Sequence, residues 1–379
     1  MATKKLLFVS ILCLFFLGTT YSQTNTWEGT VNTSWGSAGN WSLGVVPIAS
    51  HDVIIPPGFT VNLNVAATIN SIQVQGNSSL NWTAQLSIAA ASNFGPGTII
   101  NWANGSLTGG GTLTNQGSLT LTTTATKTIA GLTALNNEGT MTLQNGGDLS
   151  INDGVVNNQA SGTIDIQGLF SDITYSGVAT HTVNNAGLIQ SSSTFVFYAE
   201  LNNTGTISIL NGELRFQSLN KNLTGGIYNV AAGGELAING PVTCSGTLTG
   251  TIDGAIEWSN ILTVTAPNTA TFNFSGPNGV TWTTSNLTGG GTLVNLGLLH
   301  LTTSSTKTII GNTTLNNEGT MTLQDGGDLY ITDGVINNQG TGTIDIQDNS
   351  SDISYSGGSS HILNNLGLIR RTNTTGIAS

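Results

Sequence analysis

The amino-acid sequence predicts an all-β chain wound as a right-handed parallel β-helix, a β-solenoid behind an N-terminal capping module. Three observations carry that expectation. Charge is scarce: 8 Lys+Arg and 19 Asp+Glu in 379 residues, or 7%, against the ~25% usual in soluble domains. Gly alone contributes 50 residues, while the chain is 38% hydrophobic with a mean hydropathy of +0.10. That balance excludes a disordered chain, which pairs low hydrophobicity with high net charge, and a helical bundle, which avoids Gly and β-branched runs. The third observation is repetition at two lengths.

At the longer length, residues 106–190 align without a gap onto 286–370, an offset of 180, with 58 identities in 85 positions. Trp102 and Phe94 match Trp282 and Phe274 upstream. At the shorter length, Asn-x-Gly followed by alternating apolar and hydroxyl residues recurs, as in Asn115-Gln-Gly117 before Leu119 and Leu121, and Asn137-Glu-Gly139 before Met141 and Leu143. A beat of ~20 residues with a short strand per beat is the signature of stacked coils, each unable to bury its apolar face alone. Period-2 alternation sends Met141 and Leu143 to the core and Thr140 and Thr142 outward. The corner residues Asn115, Gly117, Asn137, Gly139, Asn317 and Gly319 are expected in left-handed backbone at sharp turns, with stacked Asn amides bonding between coils. The competing fold, tandem antiparallel β-sandwiches, would show turn signals every ~8 to 12 residues.

Residues 1–22 read as a secretory signal peptide: Lys4 and Lys5, an apolar run from Leu6 to Leu17 too short to span a membrane, and a small-residue exit. Residues 23–75 then form a Trp-rich module, and 76–379 the solenoid containing the duplication. Without Lys4 and Lys5, 6 basic residues face 19 acidic ones, a net charge of −13. Nucleic acid is therefore an unsuitable partner. No second apolar stretch reaches membrane-spanning length. Cys244 remains as the one cysteine after processing, so no intramolecular disulfide is expected.

In the N-terminal module, Trp27-Glu-Gly29, Trp35, Asn40-Trp41-Ser42, Pro47 and Asp52-Val-Ile-Ile-Pro56 form a distinct series. It resembles the module that opens secreted or surface proteins of Bacteroidota, ahead of β-helical, adhesin-like repeats. The resemblance covers about 35 residues of the chain. It implies an extracellular or cell-surface scaffold, and type IX secretion for those relatives that end in a sorting domain. The second repeat copy breaks off after Arg370, which suggests a longer natural product. Trp27, Trp35, Trp41 and Pro47 are expected to cap the first coil. The rival reading makes those tryptophans a sugar-stacking platform.

Catalysis is not the expectation. Beyond the signal, Lys127, Arg215, Lys221, Lys307, Arg370 and Arg371 are the only strong bases, and Lys127 and Lys307 are one position in two copies. Asp153 and Asp172, with their counterparts Asp333 and Asp352, are weak calcium candidates if they stack on adjacent coils. Otherwise no metal, cofactor or catalytic set is expected, because the histidines lack ligand spacing. The reading is a non-catalytic, secreted structural or adhesive scaffold, a monomeric rod whose partners would be glycans or other surface polymers. Two alternatives remain. One is a carbohydrate-active lyase or hydrolase using Glu200, Glu213, Arg215, Glu235, Asp253 and Glu257. The other is a threonine-ladder ice- or mineral-binding protein.

Overall fold

A computed structural model describes residues 22–178 and 181–372; the expected signal peptide, with Lys4, Lys5 and Cys13, lies outside them except for Ser22. The chain is almost entirely β. One short 3-10 turn, Ala38–Asn40, is the only helical element among the described residues. Strands, mostly of three to five residues, with a few such as Lys221–Val230 and Lys307–Asn317 running through a corner, stack in parallel as a β-solenoid with three faces, and the third face alone is a 15-stranded sheet. The sandwich alternative is excluded, because among the described residues every pairing between strands is parallel, from Gln23 against His51 to Ile346 against Arg371, with only isolated single bridges antiparallel.

One coil shows how the sequence produces this shape. Ala134–Asn137 lies on face 1, Thr140–Leu143 on face 2 and Leu149–Asn152 on face 3. The next coil repeats the path with Gly154–Asn158, Thr163–Ile166 and Ile173–Tyr175. Register is strict: Leu135 sits on Val156, Met141 on Ile164 and Leu143 on Ile166. Alternation turns these side chains into a shared interior where each is fully buried, worth about 1.5–3 kcal/mol per large side chain. The core is one continuous cluster from Trp27 to Ile344. Two stacked tryptophan pairs thicken it, Trp82 on Trp102 and Trp258 on Trp282, each with ring centroids 4.1 Å apart.

The boundary expected at residue 75 is not a break in this stacking. Ser71–Val74 pairs with His51–Ile55 below and Ser92–Phe94 above, so coils already begin inside the N-terminal module. Gln23–Thr26 precedes them as a strand parallel to His51–Ile55. The chain then doubles back, Trp41 pairing antiparallel with Trp27.

The duplication is laid down with a rotation. In the first copy Ser118–Leu121 is on face 2 and Lys127–Ala130 on face 3. Their counterparts, Leu298–Leu301 and the first part of Lys307–Asn317, lie on face 3 and face 1. The 180-residue offset thus spans eight coils plus one face, and the second copy is turned one third of the way around the rod. Coil length varies, from 18 residues between Asn185 and Asn203 to 27 between Asn158 and Asn185. A fixed offset therefore has no reason to equal a whole number of turns.

The two ends differ. Trp27, Trp35 and Trp41 are buried and meet edge to face at 4.9 and 4.8 Å, with Pro47 buried beside them in sequence. In the last described coil, the inward positions Leu363 and Ile369 are 38% and 39% exposed, whereas their first-copy counterparts Val183 and Ile189 are 0% and 1% exposed.

Candidate functional site

The corner asparagines are the most regular polar feature. Asn115, Asn137, Asn158, Asn185 and Asn203 are buried where face 1 turns into face 2. Each Nδ2 donates to the next Oδ1, at 2.8, 2.8, 2.7 and 2.6 Å. The second proton goes to a backbone carbonyl of the following coil, as from Asn137 to Thr163 at 2.9 Å. The ladder ends on the Tyr228 hydroxyl, 2.9 Å from Asn203. It starts abruptly, because Phe94 precedes Asn115 in the column and leaves the Asn115 Oδ1 without a partner. In the second copy Asn295, Asn317 and Asn338 form the same ladder, again started beside a phenylalanine, Phe272, with an orphaned Asn295 Oδ1.

The expectation of left-handed backbone at these corners is overturned. Neither the ladder asparagines nor Gly117, Gly139 and Gly319 have positive φ. Glycine is needed there for space: a Cβ on Gly139 would overlap the Gly117 carbonyl oxygen, and one on Gly319 that of Gly297. Left-handed residues sit in the wider loops instead, at Thr123, Asn145 and Phe170, and at the one-residue turn Asp153.

The lysines weighed as bases are internal. Lys127, Lys221 and Lys307, the three lysines among the described residues, are fully buried. Lys127 Nζ donates to the carbonyls of Thr122, Thr123 and Ala125; Lys307 donates to Thr303 and Ser305; Lys221 donates to Gln217 and Leu219. Each ammonium ties down the loop that precedes its own strand. Burial pulls Lys127 and Lys307 down to about 8 and Lys221 to about 7. The sequence held a signal for this: Lys127, Lys221 and Lys307 share strand parity with the inward Ile129, Leu223 and Ile309.

The calcium pairs do not form as expected. Asp172 follows the register of Asp148, whose Oδ1 accepts its backbone N–H at 3.0 Å, while Asp153 lies at the far end of the strand. Asp352 likewise meets Asp328, not Asp333. Asp333 accepts from Ser359 and Ser360, a corner role. Among the described residues no group of three His, Cys, Asp or Glu side chains is arranged to hold a metal. The threonine ladder is also short: Thr120 stacks on Thr142, but Asn101 and Asp165 flank them in the column. The tryptophans expose no ring to stack on a sugar, being 1%, 0% and 2% exposed at positions 27, 35 and 41.

The acidic residues of the enzyme alternative do converge, with one exception. Glu213 and Glu235 are in register on adjacent coils of face 3, and Arg215 lies two rungs from Glu257 in one column. Arg215 grips Glu213 through Nε at 2.5 Å and Nη2 at 2.6 Å. Burial, then the charges of Glu213 and Glu257, hold the Glu235 carboxyl above its ordinary range. An open cleft of about 480 Å³ lies over Glu213, Glu235, Asp253 and Asn278. Glu200 stands apart on face 1, accepting from Thr182. No protein-family model, curated protein or solved structure matches this chain. Functional assignment therefore rests on the residues themselves.

Proposed function

We propose that the chain is a non-catalytic, extracellular or cell-surface scaffold, a rod of the adhesin-like kind that its N-terminal module resembles in Bacteroidota. The observation that carries this reading is the use of polar side chains to join coils. On the outside of face 1 a second amide ladder runs through Asn136, Asn157, Asn184, Asn202 and Asn222, with rungs of 2.7 to 2.8 Å. Such columns hold neighbouring coils rigidly at ~4.8 Å and present an uncharged, regular surface. Many weak contacts along that surface would add through multivalency. The signal sequence supports export, and the low charge suits a stacked rod, since like charges repeated in register repel.

One specific arrangement favours a second reading, a carbohydrate-active site on face 3. Adjacent rungs ~4.8 Å apart place Glu213 and Glu235 near the ~5–5.5 Å separation of a retaining glycosidase. Glu213, held in place by Arg215, would be the nucleophile while the crowded Glu235 serves as acid. A turnover screen on neutral and acidic polysaccharides separates the two. The scaffold reading expects no turnover; reproducible turnover lost in both Glu213→Gln and Glu235→Gln overturns it.

A further inference from the structure

Phe170 and Tyr355 are the two aromatic side chains that the described residues leave largely exposed, at 75% and 72%. Phe170 also has φ +58°, a conformation costly for a bulky residue. Leu169 beside it is exposed as well. They belong to the loop 167–172, which stacks on loops 122–126 and 144–148 of the two preceding coils, at the corner from face 2 to face 3. Together the loops enclose an open groove of about 820 Å³ lined by Thr124, Gln144, Asn145, Gln167, Leu169 and Phe170. No charged side chain lines it. Gln144 donates to Gln167 at 3.0 Å, and Gln167 donates onward to Asp165.

The second copy shows what this loop looks like when it serves only the fold. Gly168-Leu169-Phe170 is replaced by Asp348-Asn349-Ser350. Asp348 Oδ1 accepts from the backbone N–H groups of Ser350 and Ser351 at 2.8 and 2.7 Å, and Oδ2 accepts from Gly326 N–H and the Ser351 hydroxyl at 2.9 and 3.0 Å. In the first copy the hydroxyl of the matching Ser171 is buried without a partner. The first-copy loop thus gives up several hydrogen bonds, orphans a buried hydroxyl and strains a phenylalanine in order to expose two apolar side chains. Stability alone would select the other sequence.

We propose that the groove under Phe170 is a binding site for a neutral polysaccharide. A flat aromatic face covers the C–H face of a hexose ring, and amide and hydroxyl side chains exchange hydrogen bonds with its ring hydroxyls, the mix of apolar wall and few polar groups that ligand grooves show. The absence of charged lining side chains sets the class as neutral rather than acidic. The site narrows the adhesive part of the scaffold reading to one loop edge, and rests on that reading only for its biological purpose.

The test uses the full chain without its signal peptide in affinity electrophoresis against xylan, mannan, β-glucan and, as acidic probes, pectin and alginate. Retardation by at least one neutral polymer is expected, with at least a tenfold loss of affinity in Phe170→Ser. The triple exchange Gly168→Asp, Leu169→Asn, Phe170→Ser imports a loop already known to close on this scaffold. It is expected to fold at least as stably and to lose binding equally. Binding retained within twofold in both variants overturns the site while leaving adhesion elsewhere intact. Binding only to the acidic polymers overturns the ligand class. No binding to any polymer overturns the site and leaves a purely structural rod.

Discussion

The two copies of the 85-residue repeat share 58 of 85 residues but are turned one third of a revolution apart, so what is a face-2 strand in one is a face-3 strand in the other. Both nevertheless keep the same register, the same buried lysine and the same asparagine ladder. The faces are therefore not distinct environments. A coil is specified by its own alternation and by its immediate neighbours, as expected where each repeat contacts only the next. Where the copies do differ, in the loop at Phe170 and in what covers Val183 against Leu363, the cause is local too.

That comparison is tested most severely by placing a charge at one position in both copies. Val183→Asp buries a carboxylate in a sealed core, and more than about 4 kcal/mol of local stability should be lost. Leu363→Asp, at a solvent-accessible site, should cost under about 1 kcal/mol. Native-state hydrogen exchange across each coil reads both, and equal losses would mean the far end is as sealed as the middle.

Within a ladder, Asn158→Leu removes a rung bonded on both sides and should cost about 3 kcal/mol, while Asn115→Leu removes a rung already unpartnered on one side and should cost about half that. Denaturant midpoints decide this, and the order of the two is the informative result.

Lys127→Met and Lys307→Met should each cost about 2 kcal/mol, because the loop carbonyls lose their donor, and the two losses should match despite the rotation. The pH dependence has a defined sign. Burial lowers the lysines to between about 7 and 8, so above that range the unfolded chain holds protons the folded chain does not, and stability rises with pH. The rise should begin near pH 7 to 8 and run toward the lysines' ordinary 10.5, slowed above about pH 9 by Cys244, which burial pushes up to about 12 and which acts in the opposite direction. Thermal midpoints of either Met variant should show a shallower rise.

The smallest effect is expected at Asp348. Burial opposes its ionisation, but hydrogen bonds from Gly326, Ser351 and Ser350 outweigh it and bring the carboxyl from 3.8 to about 2. Its contribution is complete above pH 3.8 and disappears as pH falls toward 2. Asp348→Asn should remove that acid limb from the second copy, while the first copy, with Gly168 there, should be unchanged by the equivalent titration.

Much of this architecture could be read from residues 106 to 143. Their alternation identified Met141 and Leu143 as inward, and the spacing of Asn115 and Asn137 identified a stack. What could not be read was geometry set by loops of unequal length. Nothing in the repeated strands records that 180 residues overshoot eight coils by a face, because that excess accumulates in the turns. Lysines 127, 221 and 307 were weighed as chemical bases although their parity with Ile129, Leu223 and Ile309 already pointed inward. The acids Glu213 and Glu235 were legible as a set, yet their alignment depends on Gly212–Phe216 and Gly234–Ile238 falling on one face. Leu169 and Phe170 carry no signal in the sequence, since two adjacent apolar residues usually belong to a core; only their exposure marks them.

The buried lysines have a practical consequence for how the intact rod meets reagents. With all three amines of residues 22–178 and 181–372 shut inside and engaged with carbonyls, amine-directed labels and crosslinkers should find almost nothing to modify on the folded body. Among the described residues a trypsin-like protease would be confined to Arg215, Arg370 and Arg371. Under such a protease, the first appearance of lysine-derived fragments would report that a coil had opened.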